Sequence, residues 1–211
     1  MRIGLKFLLH LVVLTVVSAA QAGAYEDFFK AIELDNPRLL GALLERGIDP
    51  DTLDPRGQSG LYLALREGAT HAEAVLLAHP ATHIDGENSA GETPLMIAAL
   101  RGRLDACQRL LDRGARVDKA GWTPLHYAAA GPEPSVVKLL LDRGARVDAL
   151  APNGSTPLMM AARDGAIDAV PVLLAHGADP KLRNKAGLSA ADFARSGGRD
   201  GLAAKLDAAA R

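Results

Sequence analysis

Apolar positions along this chain fall into short stripes that come in pairs and return in a constant order. Leu110/Leu111, Leu140/Leu141 and Leu173/Leu174 each belong to a segment with one apolar face, the pattern of an amphipathic helix. Ahead of each lies a denser run of small and apolar residues, in which the Ala pairs 98/99, 128/129 and 161/162 leave room for two helices to approach closely.

The wording of these runs repeats as well as their polarity. Thr93-Pro94-Leu95-Met96-Ile97-Ala98-Ala99 comes back as Thr123-Pro124-Leu125-His126-Tyr127-Ala128-Ala129 and as Thr156-Pro157-Leu158-Met159-Met160-Ala161-Ala162. A threonine in this place caps a helix through its side-chain oxygen, and proline suits the first helical position, where an amide hydrogen would be unpaired anyway. Gly114, Gly144 and Gly177 fall where the second helix must end, a place that favours positive φ. Leu110 to Asp118 is matched residue for residue by Leu140 to Asp148.

Spacing is strict in one part of the unit and loose in the other. Gly91 to Gly114, Gly121 to Gly144 and Gly154 to Gly177 each cover 23 residues. The connecting segments from Gly144 to Gly154 and from Gly177 to Gly187 cover 10, whereas Gly114 to Gly121 covers 7, so one connection has lost three residues. Weaker copies extend the register backwards through Leu61, Ala64, Leu76 and Leu77 and through Phe28, Ala31, Leu43 and Leu44, and forwards through Ser189 to Ala194 and Leu206.

A unit of about 33 residues opening on T-P-L-H-x-A resembles the ankyrin repeat. The resemblance covers essentially everything after residue 23. It implies an all-α ankyrin-repeat solenoid of about six helix-turn-helix repeats with short hairpin-like fingers, at about 24–56, 57–90, 91–120, 121–153, 154–186 and 187–211. The end repeats are degenerate, as units with one neighbour are. Stacked repeats of this kind form a single domain from 23 to 211 with no internal linker.

Residues 1–22 have a different composition. Arg2 and Lys6 precede an apolar stretch from Phe7 to Val17, and Ala20-Gln21-Ala22 is an A-x-A site, so a secretory signal peptide cleaved after Ala22, or as a second choice after Ala24, is expected. The stretch falls short of the roughly 20 apolar residues that span a bilayer. A bacterial-style leader on a chain with one cysteine points to a periplasmic or secreted protein, not inserted in the membrane after cleavage. Without its leader the chain holds 22 Lys and Arg against 25 Asp and Glu, a formal charge of −3. That balance, with few aromatics, argues against nucleic acid as a partner.

Candidate chemistry is sparse. His79 and His83 have ligand-like spacing, but Pro80 breaks any helix that would align them and no carboxylate or thiol completes a set. Asp49, Asp51 and Asp54 imitate a calcium loop that lacks its glycine and its closing glutamate. Gly57-Gln58-Ser59-Gly60 has the wrong spacing for a nucleophile elbow. Cys107 sits at the register of Val137 and Val170, the place of a small buried hydrophobe. His126, the motif's own histidine, is expected to bond within its turn. No metal, no cofactor and no enzymatic activity is expected.

The resemblance directs attention to the finger tips and the exposed side of the first helices, which in ankyrin proteins line a concave face that grips a partner. Trp122, the one tryptophan, stands beside the shortened finger, and a notch is expected there, flanked by Arg101, Tyr127 and Arg163. Lys119, Glu92, Arg66 and Ser155 occupy further finger or helix-end positions on the same expected face. Two readings of Trp122 stand side by side: contact with a partner, or local cover over Leu125 and Tyr127. The functional expectation is a monomeric, non-catalytic scaffold that binds another protein in the periplasm, with accessory or immunity factor to an envelope enzyme or toxin as its finer form. The alternatives are a self-associating structural component of the envelope and, from a different class, an enzyme or metal carrier.

Overall fold

The computed structural model describes residues 23–211; the expected signal peptide and its cleavage after Ala22 lie outside the described residues. The described chain is all-α, with twelve helices. Extended pairing among the described residues is confined to single antiparallel bridges, Leu53 with Ser59 and Arg183 with Ser189, each closing one finger. Internal contacts divide the chain into two compact units, with the boundary between Thr82 and His83.

The first unit holds α1 (23–33), α2 (Pro37–Glu45), α3 (Gly60–Glu67) and α4 (Thr70–Ala78). Its core is built from Phe28, Leu40, Leu43, Leu61, Leu65 and Leu76, all at most 1% exposed. The N-cap position of α4 is Ala69, which has no side chain to offer, and Asp35 takes over. Its carboxylate accepts from the amides of His71 at 2.9 Å and Ala72 at 2.8 Å.

A local departure marks the end of this unit. Pro80 stands where Gly114, Gly144 and Gly177 stand in later repeats. The residue before a proline is driven out of the helical region, and His79 is accordingly extended at φ −75°, ψ 125°. In the later repeats a backbone amide closes the helix end, as Ala115 does on Leu110 and Ala145 on Leu140. Here the buried Thr82 hydroxyl donates to the Leu76 carbonyl at 2.7 Å instead.

The second unit holds four helix pairs: α5 (Pro94–Leu100) with α6 (Leu104–Asp112), α7 (Pro124–Ala130) with α8 (Pro134–Asp142), α9 (Pro157–Arg163) with α10 (Ala169–Ala175), and α11 (Ala190–Ser196) with α12 (Asp200–Ala209). First helices stack on first helices, α5 on α7, α7 on α9 and α9 on α11, while α8 packs against both α6 and α10. Leu95, Leu110, Leu125, Leu140, Leu158 and Leu173 are completely buried, as the apolar stripes predict, and so is Cys107.

Successive repeats of this unit are also pinned through a carboxylate. Asp85 accepts from the amide and Nε of Arg116 at 3.0 and 3.3 Å, and Asp118 accepts from the amide and Nε of Arg146 at 3.0 and 3.2 Å. At the next step the arginine is replaced by Asp179, whose amide still donates to Asp148 at 3.2 Å. Burial, with the nearby Asp179 charge, pushes the Asp148 carboxyl above its ordinary range.

Candidate functional site

The first helices of the second unit all start in the same way, and this orders the surface they present. The Thr93 and Thr156 hydroxyls accept from the amides of Met96 and Met159, and each threonine amide points at the sulfur of the same methionine. In the fourth repeat a histidine takes the methionine's place. The Thr123 amide lies 3.2 Å from Nδ1 of His126, and Nε2 lies 3.0 Å from the Ser155 carbonyl oxygen, so the ring accepts at Nδ1 and donates at Nε2. His126 is fully buried, and burial holds its imidazole below the ordinary value of 6.5 against the pull of the Ser155 carbonyl. Its role is structural, joining the fourth repeat to the fifth.

The shortened finger has its own construction. Three other fingers are turned by a side chain at the tip: Asp54 accepts from the amides of Arg56 and Gln58, Asn88 from Ala90 and Glu92, and Asn184 from Ala186 and Leu188. At the matching place stands Asp118, which is taken up by Arg146. Lys119 supplies the missing anchorage. Its ammonium donates to the Gly91 carbonyl at 2.6 Å and pairs with Glu87 at 2.8 Å, and the hydrogen bond from Lys119, with its charge, lowers the Glu87 carboxyl. On the other side, Pro152 of the next finger closes on Gly121.

Beside this finger lies an apolar recess of about 220 Å³, lined by Leu100, Trp122, His126, Tyr127, Ala130 and Met160. Trp122 is half-buried and meets the His126 ring edge-on, with centroids 5.3 Å apart and planes at 77°. The Tyr127 hydroxyl donates to Oε1 of Glu92 at 2.9 Å, while Oε2 of Glu92 accepts from Asn88 at 2.8 Å. Register explains the hollow. Leu100, Ala130 and Arg163 occupy equivalent places at the ends of three consecutive first helices, and the middle one is only a methyl group.

The expected site residues therefore separate into groups. Trp122 and Tyr127 meet at the recess, and Glu92 braces Tyr127 from behind. Arg101 is exposed directly after Leu100. Arg163 is exposed but engaged, held by Asp164 at 2.6 Å and lying 5.6 Å over the Phe193 ring. Lys119 is committed to Glu87 and Gly91. Arg66 belongs to the first unit, where it pairs with Glu67 and donates to Gln58, both at 2.7 Å. There it borders a wider groove with Tyr25, Phe29 and Lys30.

Ser155 requires a correction. It was expected on the exposed face, and the structure buries it completely because His126 draws its carbonyl inward and Asn184 approaches its hydroxyl. Met160 and Ala130 matter more than their sequence signals suggested. Met160 follows Ile97 and Tyr127 in register and is followed by Phe193, so an alignment of the repeats by side-chain size at that place points to it. Among the described residues no group of three or more His, Cys, Asp or Glu could hold a metal ion, and no helix is long and apolar enough to cross a membrane.

Stacked helix pairs, fingers capped by side chains and a patterned face on the first helices define a repeat-built interaction scaffold. A family model described as ankyrin repeats in three copies matches residues 28–120 and 116–184, and the chain belongs to the ankyrin-repeat family. Over 146 residues it is 35% identical to Ankyrin repeat and SAM domain-containing protein 6 of Mus musculus, which covers 69% of this chain and 13% of that protein. Over 93 residues it is 32% identical to NF-kappa-B inhibitor alpha of Sus scrofa, 42% of this chain and 30% of the relative. A Caenorhabditis elegans homolog of transient receptor potential cation channel subfamily A member 1 is 39% identical over 67 residues, 32% of this chain and 6% of the channel protein. The chain thus spans at most 30% of the length of these relatives.

Proposed function

We propose that this chain is a monomeric, non-catalytic interaction module that binds another protein through the first helices and fingers of its second unit, with a partner side chain entering the recess beside Trp122. The observation that carries this reading is the recess itself. At about 220 Å³ it is smaller than the roughly 300–1,000 Å³ of sites for small molecules and cofactors, and it fits one side chain. Tryptophan at its edge is the residue type most enriched where partners bind tightly. The relative named as an inhibitor of NF-kappa-B agrees with a protein, rather than a metabolite, as the partner.

The setting proposed is the bacterial periplasm, on the strength of Arg2, Lys6, the apolar stretch from Phe7 and the A-x-A site at Ala20 to Ala22. In that compartment the module would serve as accessory or immunity factor to an envelope enzyme or toxin. The test is affinity capture from a periplasmic extract, with wild-type and Trp122→Ala baits side by side. One protein retained by wild type and lost by the variant is the expected result; equal capture by both baits would remove the recess from the binding face.

A further inference from the structure

The recess beside Trp122 carries more than its size, and the inference drawn from it rests on the partner-binding reading above. We propose that the side chain it admits is an uncharged aliphatic or aromatic one, borne on a partner segment whose next residue is a carboxylate taken by Arg101, and that Ala130 sets the size of the socket.

The apolar character follows from a count of polar groups. His126 and Tyr127 bring polar atoms to the lining. Both ring nitrogens of His126 are taken, by the Thr123 amide and by the Ser155 carbonyl. The Tyr127 hydroxyl gives its hydrogen to Glu92. The other four lining residues are Leu100, Trp122, Ala130 and Met160, which are hydrocarbon, aromatic ring and thioether apart from the single indole N–H donor of Trp122. A polar or charged side chain entering here would meet at most the one indole donor and leave its other hydrogen bonds behind in water, a cost that an aliphatic or aromatic group does not bear.

The carboxylate follows from the charges around it. Arg163 is compensated by Asp164, and Lys119 by Glu87. Arg101, one residue beyond the recess wall at Leu100, is exposed and makes no side-chain hydrogen bond or ion pair among the described residues. A cation so placed favours a segment that sets an acidic residue beside its apolar anchor. Ala130 comes in because its equivalents, Leu100 and Arg163, are large, and a larger side chain there would occupy the hollow.

Trp122 is the single tryptophan, so its indole N–H signal in a nitrogen-15 spectrum of the full chain reports on the recess directly. The probes are the blocked tetrapeptides Ala-Leu-Asp-Ala, Ala-Leu-Lys-Ala and Ala-Ala-Asp-Ala. The leucine–aspartate peptide should shift the signal saturably and the alanine–aspartate peptide should not. Exchange of aspartate for lysine should weaken binding roughly two- to fivefold, and Arg101→Gln should erase that preference. Ala130→Leu should weaken both leucine peptides by at least about tenfold, and leucine already occupies the equivalent place at Leu100, so the variant is expected to fold. Ala130→Met serves as a second filling variant.

Absence of any saturable shift, or unchanged binding in both filling variants, would overturn the socket. Equal binding of the aspartate and lysine peptides would overturn the carboxylate assignment. A shift that depends on protein concentration without peptide would put a second copy of the chain in the recess and overturn the proposal too. If capture of the partner is lost in Trp122→Ala while the peptides show none of these effects, this inference fails and the partner-binding reading stands; if capture survives, that reading fails.

Discussion

Gly165 lies so close to Ala129 in the preceding repeat that a β-carbon added to it would come within 1.9 Å of the Ala129 carbonyl oxygen. The contact is backbone against backbone, and the amide of Ala166 donates to the Gly131 carbonyl next to it at 3.2 Å. Neither side has a flexible end that could yield. Gly165→Ala is therefore expected to destabilise the second unit by about 2–3 kcal/mol, read from urea unfolding. A variant within about 0.5 kcal/mol of wild type would show that the repeats are not packed this tightly.

Gly144→Val tests a different cause. Gly144 has no neighbour within 4 Å of a would-be β-carbon, but its φ is +90°. The penalty there is conformational rather than steric crowding from outside, and a β-branched residue should cost about 1–3 kcal/mol. Thermal unfolding beside Gly144→Asn separates the two explanations. Asparagine tolerates positive φ better, so it should fall between wild type and valine; equal losses for both would point away from the dihedral.

Trp122→Ala removes the edge-on contact with His126 along with one wall of the recess. An aromatic pair of this kind is worth about 0.5–1.5 kcal/mol beyond the area it buries, and Trp122 is only half-buried, so the melting temperature should fall by a few degrees only. Partner capture should be lost. A large fall in stability with capture intact would assign Trp122 to local cover alone.

The helix pairs, their caps and the apolar stripes were legible in the sequence because each rests on short-range chemistry: Thr before Pro at a helix start, Gly at a helix end, leucines at helical spacing. The short finger was legible too, as three missing residues between Gly114 and Gly121. What fills the gap was not. Lys119 reaching Gly91, Asp118 turning to Arg146 and Ser155 drawn in by His126 all connect residues 28 or 29 positions apart, and no local pattern encodes such pairings. The division between Thr82 and His83 had one visible sign, Pro80 in the place of a glycine, whose effect on the helix end emerges only with the Thr82 hydroxyl bond.

His126 gives the stability a pH signature. Burial holds its folded-state pKa below the ordinary value of 6.5, so the folded chain favours the neutral ring and the unfolded chain takes up the proton more readily. Stability from this group is complete above about pH 6.5 and is lost as the pH falls through the folded value. Melting temperatures of wild type should hold steady from about pH 8 to 6.5 and decline below it. His126→Gln should start lower and lack that part of the decline. An identical profile for the variant would assign the decline to other groups.

The proposed binding surface is the face built by the first helices and the short finger of the second unit. Hydrogen–deuterium exchange of the chain with and without the captured partner addresses it most directly. Protection should appear in peptides covering Lys119 to Gly131 and Met160 to Asp164, with α6, α8 and α10 unchanged. Protection confined to those second helices, with the Trp122 region exchanging as in the free chain, would contradict this assignment.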